Sequence, residues 1–168
     1  MGKDLRACVY FKLIKSELNF VKLRELDIDA IFVVYDQIPK DKMRQEVLKL
    51  VVPDFSVTAV TVDEAIALLR DRTMNEKSLL IFKELEVAVD AYFRGLKFTL
   101  LNLIQLSYHT DRRDVINNLR LSKNDMKELE RLNRAKVQIV HQGKFDADEL
   151  SYGQIKKLAR KATTYNFF

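Results

Sequence analysis

Two histidines, one cysteine and four glycines limit the chemistry open to this chain of 168 residues. Histidine suits nucleophilic relay near neutral pH, because one ring nitrogen is available without a proton. The chain has only His109 and His141. Two histidines so separated do not make a metal site, and no metal is expected. Cys8 stands alone, which excludes an internal disulfide and a Cys-rich zinc site. The glycines are Gly2, Gly95, Gly143 and Gly153, and no pair has the spacing of a G-x-G-x-x-G or G-x-x-x-x-G-K-[ST] loop. Both loops need backbone without Cβ atoms pressed against phosphate, so ordinary nucleotide-binding fingerprints are absent and no cofactor is expected.

Charge marks a second region. From Arg112 to Phe168 there are 13 Lys and Arg against 7 Asp and Glu, while the preceding residues hold 16 against 17. A basic C-terminal third can meet nucleic acid, an anionic membrane or an acidic protein. A solvated, lysine-rich helical face is the plainer reading. Aromatic residues do not interleave the cations before Tyr165, Phe167 and Phe168, which weighs against a base-stacking site and against nucleic acid as a partner.

The elements that position these residues follow from the hydrophobic pattern. Short apolar runs at 7–11, 30–35, 57–62, 78–82 and 98–103 are rich in Val, Ile, Phe and Tyr, as strands covered on both faces are. Helical stripes separate them. Residues 40–51 are stopped by Pro53, Thr61 to Glu64 has capping-box spacing, and 84–94 ends at Gly95 as a C-terminal cap. Ser122 to Asp125 opens a further helix, 137–140 reads as a late strand, and 146–162 reads as a terminal amphipathic helix. Strands alternating with helices predict one α/β domain over 1–168, with a mostly parallel sheet of about seven strands and helices on both faces. Residues 144–168 form its C-terminal helix and tail. Ligands of such sheets bind beyond the carboxyl ends of the strands, which selects the loop at 10–17 and the loops after Tyr35, Phe82 and Leu103. His109 then flanks that cleft as a candidate nucleophile, although a lone loop histidine is most often a surface residue. His141, at the end of the late strand, reads as structural or exposed.

The stretch from Leu26 through Ile31, Tyr35, Asp36, Gln37, Pro39 and Lys40 to Asp41 resembles the IIB component of the mannose/fructose/sorbose family of the bacterial sugar phosphotransferase system. Pro53, the segment 61–69, Leu79 to Lys83, Gly95, Asn102 with Ser107 and Tyr108, and Leu121-Ser122 follow at compatible spacing, so the resemblance covers about 13–140. It implies the sorbose-type IIB fold. It also implies a subunit that takes a phosphoryl group from a IIA phosphohistidine onto its own histidine and passes it to a sugar held by the membrane IIC and IID subunits.

The acceptor histidine of that family lies on the loop after the first strand. An ungapped alignment puts Lys15 at its place, with Lys12, Ser16 and Glu17 where the family has Arg, Gly and Gln. The resemblance makes Lys12, Ser16, Asp36, Asn102 and Ser107 candidates for a phosphate pocket around Lys15. Lysine with its ordinary pKa near ~10.4 is ammonium at neutral pH and does not attack phosphorus. Exchanging Arg for Lys also removes a bidentate phosphate fork. Phe11 and Tyr10, where the family keeps charge, predict a closed, drier cleft, and Ile104-Gln105 replaces a Gly-Gly pair. Asp36 reads equally as a pocket acid or as an N-cap or turn aspartate.

Three functions follow as expectations. The first is a IIB-like subunit altered in phosphohistidine relay that acts by docking to IIA or to IIC and IID. The second is an active phosphotransferase with His109 as a displaced acceptor. The third is a basic module for nucleic acid or an acidic protein. The stretch 98–110 is the longest without a charged side chain and is too short to span a bilayer as a helix. With no apolar leader at 1–6, a cytoplasmic location is expected.

Overall fold

Each central strand sends alternate side chains into two different cores, which is what a sheet covered on both faces requires. The computed structural model describes residues 4–13, 20–53, 55–116, 119–142 and 149–165. In chain order the elements are β1 (Arg6–Tyr10), α1 (Phe20–Glu25), β2 (Ala30–Tyr35), α2 (Lys40–Leu48), β3 (Ser56–Thr61), α3 (Val62–Arg70), β4 (Ser78–Phe82) and α4 (Leu85–Arg94). They continue with β5 (Leu100–Gln105), β6 (Arg113–Ile116), β7 (Leu119–Leu121), α5 (Lys123–Arg134), β8 (Gln138–His141), β9 (Leu150–Ser151) and α6 (Tyr152–Tyr165). The sheet has seven strands in the order β3-β2-β4-β1-β5-β8-β9. All neighbours are parallel except β9, which runs antiparallel to β8. β6 and β7 form a separate antiparallel hairpin.

Ala7 and Val9 of β1, Phe32 and Val34 of β2, and Leu80 and Phe82 of β4 pack with α3, α4, α5 and α6. Cys8 and Tyr10, Ile31 and Val33, and Leu79 and Ile81 face the other way, against Leu23 of α1 and Met43 and Val47 of α2. A buried Leu or Ile contributes roughly 1.5–3 kcal/mol relative to exposure, so these two layers supply the main driving force for the fold. Burial also pushes the Cys8 thiol up to about 12, leaving it neutral and inert.

Local signals set the helix ends. Thr61 Oγ1 accepts from the Glu64 backbone N–H, and the Glu64 carboxylate accepts from the Thr61 N–H, so the predicted capping box forms. That backbone donor holds the Glu64 carboxyl below its ordinary range, with help from the Thr61 hydroxyl and from Lys40 and Arg44. Ser122 and Asp125 make a second capping box at the start of α5. Gly95 closes α4 at φ 126, a conformation that a side chain would strain.

Several expected boundaries shift. Residue 62 leaves the third strand to begin α3, because the capping box starts the helix there. The fifth strand runs from Leu100 to Gln105 rather than from 98 to 103. Of the expected helix 146–162, residues 146–148 lie outside the described residues, Leu150 and Ser151 pair with His141 and Val140, and α6 begins at Tyr152. His141 is buried, with its Nδ1 against the Leu103 carbonyl. Among the described residues no helix is long and apolar enough to cross a membrane.

Candidate functional site

Parallel pairing brings the carboxyl ends of β2, β4, β1 and β5 to one edge of the sheet. β1 is central there, flanked by β4 and β5. The ladder between β1 and β5 slips at this edge. Val9 pairs with Leu103 but Tyr10 pairs with Gln105, so Ile104 is the extra residue of a bulge. The Phe11 N–H donates to the Gln105 carbonyl at 3.1 Å, which holds the start of the loop after β1 against the end of β5. The Gln105 side-chain oxygen is buried there with no hydrogen-bond donor among the described residues. Bulges re-aim strands beside active sites. This one falls at Ile104 and Gln105, the pair that the resemblance sets at the family's Gly-Gly.

Leu13 is buried in the second core and adopts φ 51, a left-handed backbone that is uncommon for a residue with a branched side chain. Its burial pins the turn that leads into residues 14–19. Lys15 and Ser16 lie in that segment, outside the described residues. Lys12 is exposed just before it.

Tyr10 is buried as a space-filling residue should be. Phe11 departs from the expected dry cleft. Its side chain is exposed, and the Lys83 ammonium lies 5.0 Å from its ring centroid. Lys83, next after β4, also pairs with Glu46 of α2 at 2.9 Å, with both side chains mostly covered. The rim after β1 is therefore a cation held between an aromatic face and a carboxylate.

Asp36 follows β2, and Gln37 after it turns with φ 56. The N-cap of α2 is Pro39, so Asp36 does not cap that helix. Its carboxylate lies 3.5 Å from Arg94, which also pairs with Asp63 at 2.8 Å and Asp90 at 2.9 Å. Asn102 spans β5 and the end of β8: its amide donates to the Gln142 carbonyl and its oxygen accepts from the Gln142 N–H. It thereby extends the β5–β8 ladder by one pair.

Ser107 belongs to a sealed network. Its hydroxyl donates to Glu84 at 2.8 Å and accepts from Arg112 at 3.0 Å, while Arg112 also donates to the Ser107 carbonyl. Arg112 forks onto Asp125 through Nε at 2.8 Å and Nη2 at 3.2 Å. Asp125 in turn accepts from the Ser122 N–H. Burial disfavours the Arg112 charge, yet Asp125, with Glu84 and Glu86 nearby, more than offsets that and lifts its pKa above the ordinary value.

His109 stands at the mouth of this network. A ring nitrogen of His109 and one carboxylate oxygen each from Glu84 and Glu86 lie within 4.8 Å of one another. The three could ligate a divalent cation. The Arg112 guanidinium beside Glu84 opposes one, and the same carboxylates can orient an imidazole. The sequence marks Asp125 only as part of a helix start and singles out none of Glu84, Glu86 and Arg112 as site residues. Glu84 was legible in principle, since it follows a buried strand by two residues at the ligand-binding edge, as Asp36 follows β2.

Residues 12–165 match the family described as the PTS system sorbose subfamily IIB component, and the chain belongs to that family. Comparison with curated proteins finds no match. Three solved structures share the fold. The IIBSor domain of the Klebsiella pneumoniae sorbose permease superposes with a TM-score of 0.78 at 14% identity, over 93% of this chain and 98% of that one. The manxB protein of Thermoanaerobacter tengcongensis gives 0.75 at 19% identity, over 99% and 97%. The N-acetyl-galactosamine IIB component of Streptococcus pyogenes gives 0.72 at 16% identity, over 90% and 96%. The seven-stranded, mostly parallel sheet is thus the sorbose-type IIB fold that the sequence predicts.

Proposed function

We propose that the chain is a IIB-type subunit of a mannose/fructose/sorbose-type sugar phosphotransferase system that docks to its IIA and to the membrane IIC and IID subunits without relaying phosphate through the loop after β1. One observation carries this reading. The sequence holds no histidine before His109, so the loop on which the family places its acceptor offers Lys15 and Ser16 instead. An ammonium at Lys15, with exposed Lys12 three residues earlier in the sequence, can attract a phosphohistidine but has no free electron pair to accept the phosphoryl group. A subunit of this kind works in the cytoplasm. Titration calorimetry of the chain with a sorbose-family IIA tests the docking. Binding that weakens in Lys12→Glu supports it, and no binding to phosphorylated or unphosphorylated IIA overturns it.

A second reading has its own observation. His109, held near Glu84 and Glu86 on the same strand-end edge, is the other histidine-carboxylate arrangement a phosphoryl relay could use. The relay would break the phosphorus–nitrogen bond of the IIA phosphohistidine and form one to a His109 ring nitrogen, with the IIA imidazole as leaving group. An acid-labile mass gain abolished by His109→Ala would support it.

A further inference from the structure

The basic third of the sequence converges on a groove that phosphoryl relay does not use. The groove has a volume of about 990 Å³ and lies between α5, α6 and the β6–β7 hairpin. Its walls are two facing helical stripes. α5 contributes Lys123, Lys127, Arg131 and Arg134, which are spaced by three or four residues and therefore share one face. α6 contributes Lys156 and Arg160, and the hairpin adds Arg113. Among the described residues Glu130 is the only carboxylate in the lining, and it is already engaged: Tyr152 donates to it at 2.6 Å, with Arg134 and Lys156 within 3.8 Å. Tyr152 and these cations hold the Glu130 carboxyl below its ordinary range. Between the charged walls the lining is apolar, with Val115, Leu121, Met126 and Ala159.

We propose that this groove docks an acidic, amphipathic segment of a partner protein. Among the described residues the lining holds seven cations and one carboxylate, and although Arg131 also pairs with Glu128 at 2.9 Å, the excess of positive charge calls for anionic groups on the occupant. The apolar lining calls for aliphatic side chains, which a nucleic-acid backbone does not carry. Among the described residues Tyr152 is the only aromatic one in the lining, and its hydroxyl is committed to Glu130, so this part of the groove is poor in stacking surface for bases. A second copy of the chain would set basic wall against basic wall. One end of the groove reaches Ser122 and Lys123, beside the buried Arg112–Asp125 pair, so an occupant would sit next to the network that leads to His109. The inference stands apart from the reading of the loop after β1 and needs no phosphate.

The test is fluorescence anisotropy on the full chain with a labelled synthetic helix bearing Glu on one face and Leu on the other. The expected result is saturable binding that weakens at least ~10-fold at high salt and in Lys127→Glu/Arg134→Glu, both surface positions. A peptide of equal charge with Ser for Leu should bind at least ~10-fold more weakly, because it cannot fill the apolar lining. Equal binding of the Leu and Ser peptides, tighter binding of single-stranded RNA, or indifference to the charge reversal would overturn the proposal. So would concentration-dependent dimerisation abolished by the same reversal. Unchanged IIA binding in Lys127→Glu/Arg134→Glu separates this result from the docking of the loop after β1.

Discussion

The edge where the parallel strands end carries two arginine-centred networks that differ in depth. Beyond β5, Arg112 and Asp125 are sealed, at 4% and 9% side-chain exposure, and each polar atom of the fork meets a partner. Beyond β2, Arg94 gathers Asp36, Asp63 and Asp90 in the open, with Asp63 84% exposed. The chemistry of the pairs is the same, and water makes the difference. A buried charge stripped of its partner keeps its desolvation penalty, whereas an exposed one simply rehydrates. The sealed network thus holds the segment after β5, where the Arg112 N–H also donates to the His109 carbonyl, while the open one constrains the loop after β2 less.

Removing Asp125 should break the comparison hardest. Asp125→Ala strands the buried Arg112 guanidinium and removes the Asp125 half of the α5 capping box, with an expected loss of roughly 3–5 kcal/mol in urea denaturation. A loss below about 1 kcal/mol would show that water reaches the pair. Ser107→Ala leaves Glu84 and Arg112 each short of a partner and should cost about 1–3 kcal/mol, read from the same transition. On the open side, Thr61→Ala removes the α3 cap for about 1 kcal/mol. The Glu64 part of that cap has a definite pH sign. Its folded pKa is depressed, so its contribution is full above the unfolded value near 4.5 and is lost as pH falls through the folded one. Wild type should lose stability over that acid window more steeply than Glu64→Gln. Arg94→Ala should change stability by less than about 1 kcal/mol and less still at high salt; a larger loss would erase the contrast between the two networks.

The alternation of buried strands and capped helices was legible because it is local. The run 30–35, the run 78–82 and both capping boxes carry their own signals in a few consecutive residues. β9 was not legible, since a pair of residues has no period and its pairing with β8 is decided by tertiary packing. At the site, Asp36, Asn102 and Ser107 drew attention through the family pattern, but their partners Arg94, Gln142, Glu84 and Arg112 come from distant segments. Asn102 and Gln142 are forty residues apart, and no spacing rule connects them. The grouping of His109 with Glu84 and Glu86 depends likewise on β4 and β5 ending at one edge on either side of β1.

On the function proposed above, the loop after β1 does not accept phosphate. Intact-mass spectrometry after incubation with phosphoenolpyruvate, the general phosphocarrier proteins and a sorbose-family IIA tests it most directly. The account predicts no added phosphate on the chain while IIA is itself phosphorylated. A phosphate that persists in His109→Ala and disappears in Lys15→Ala would contradict it.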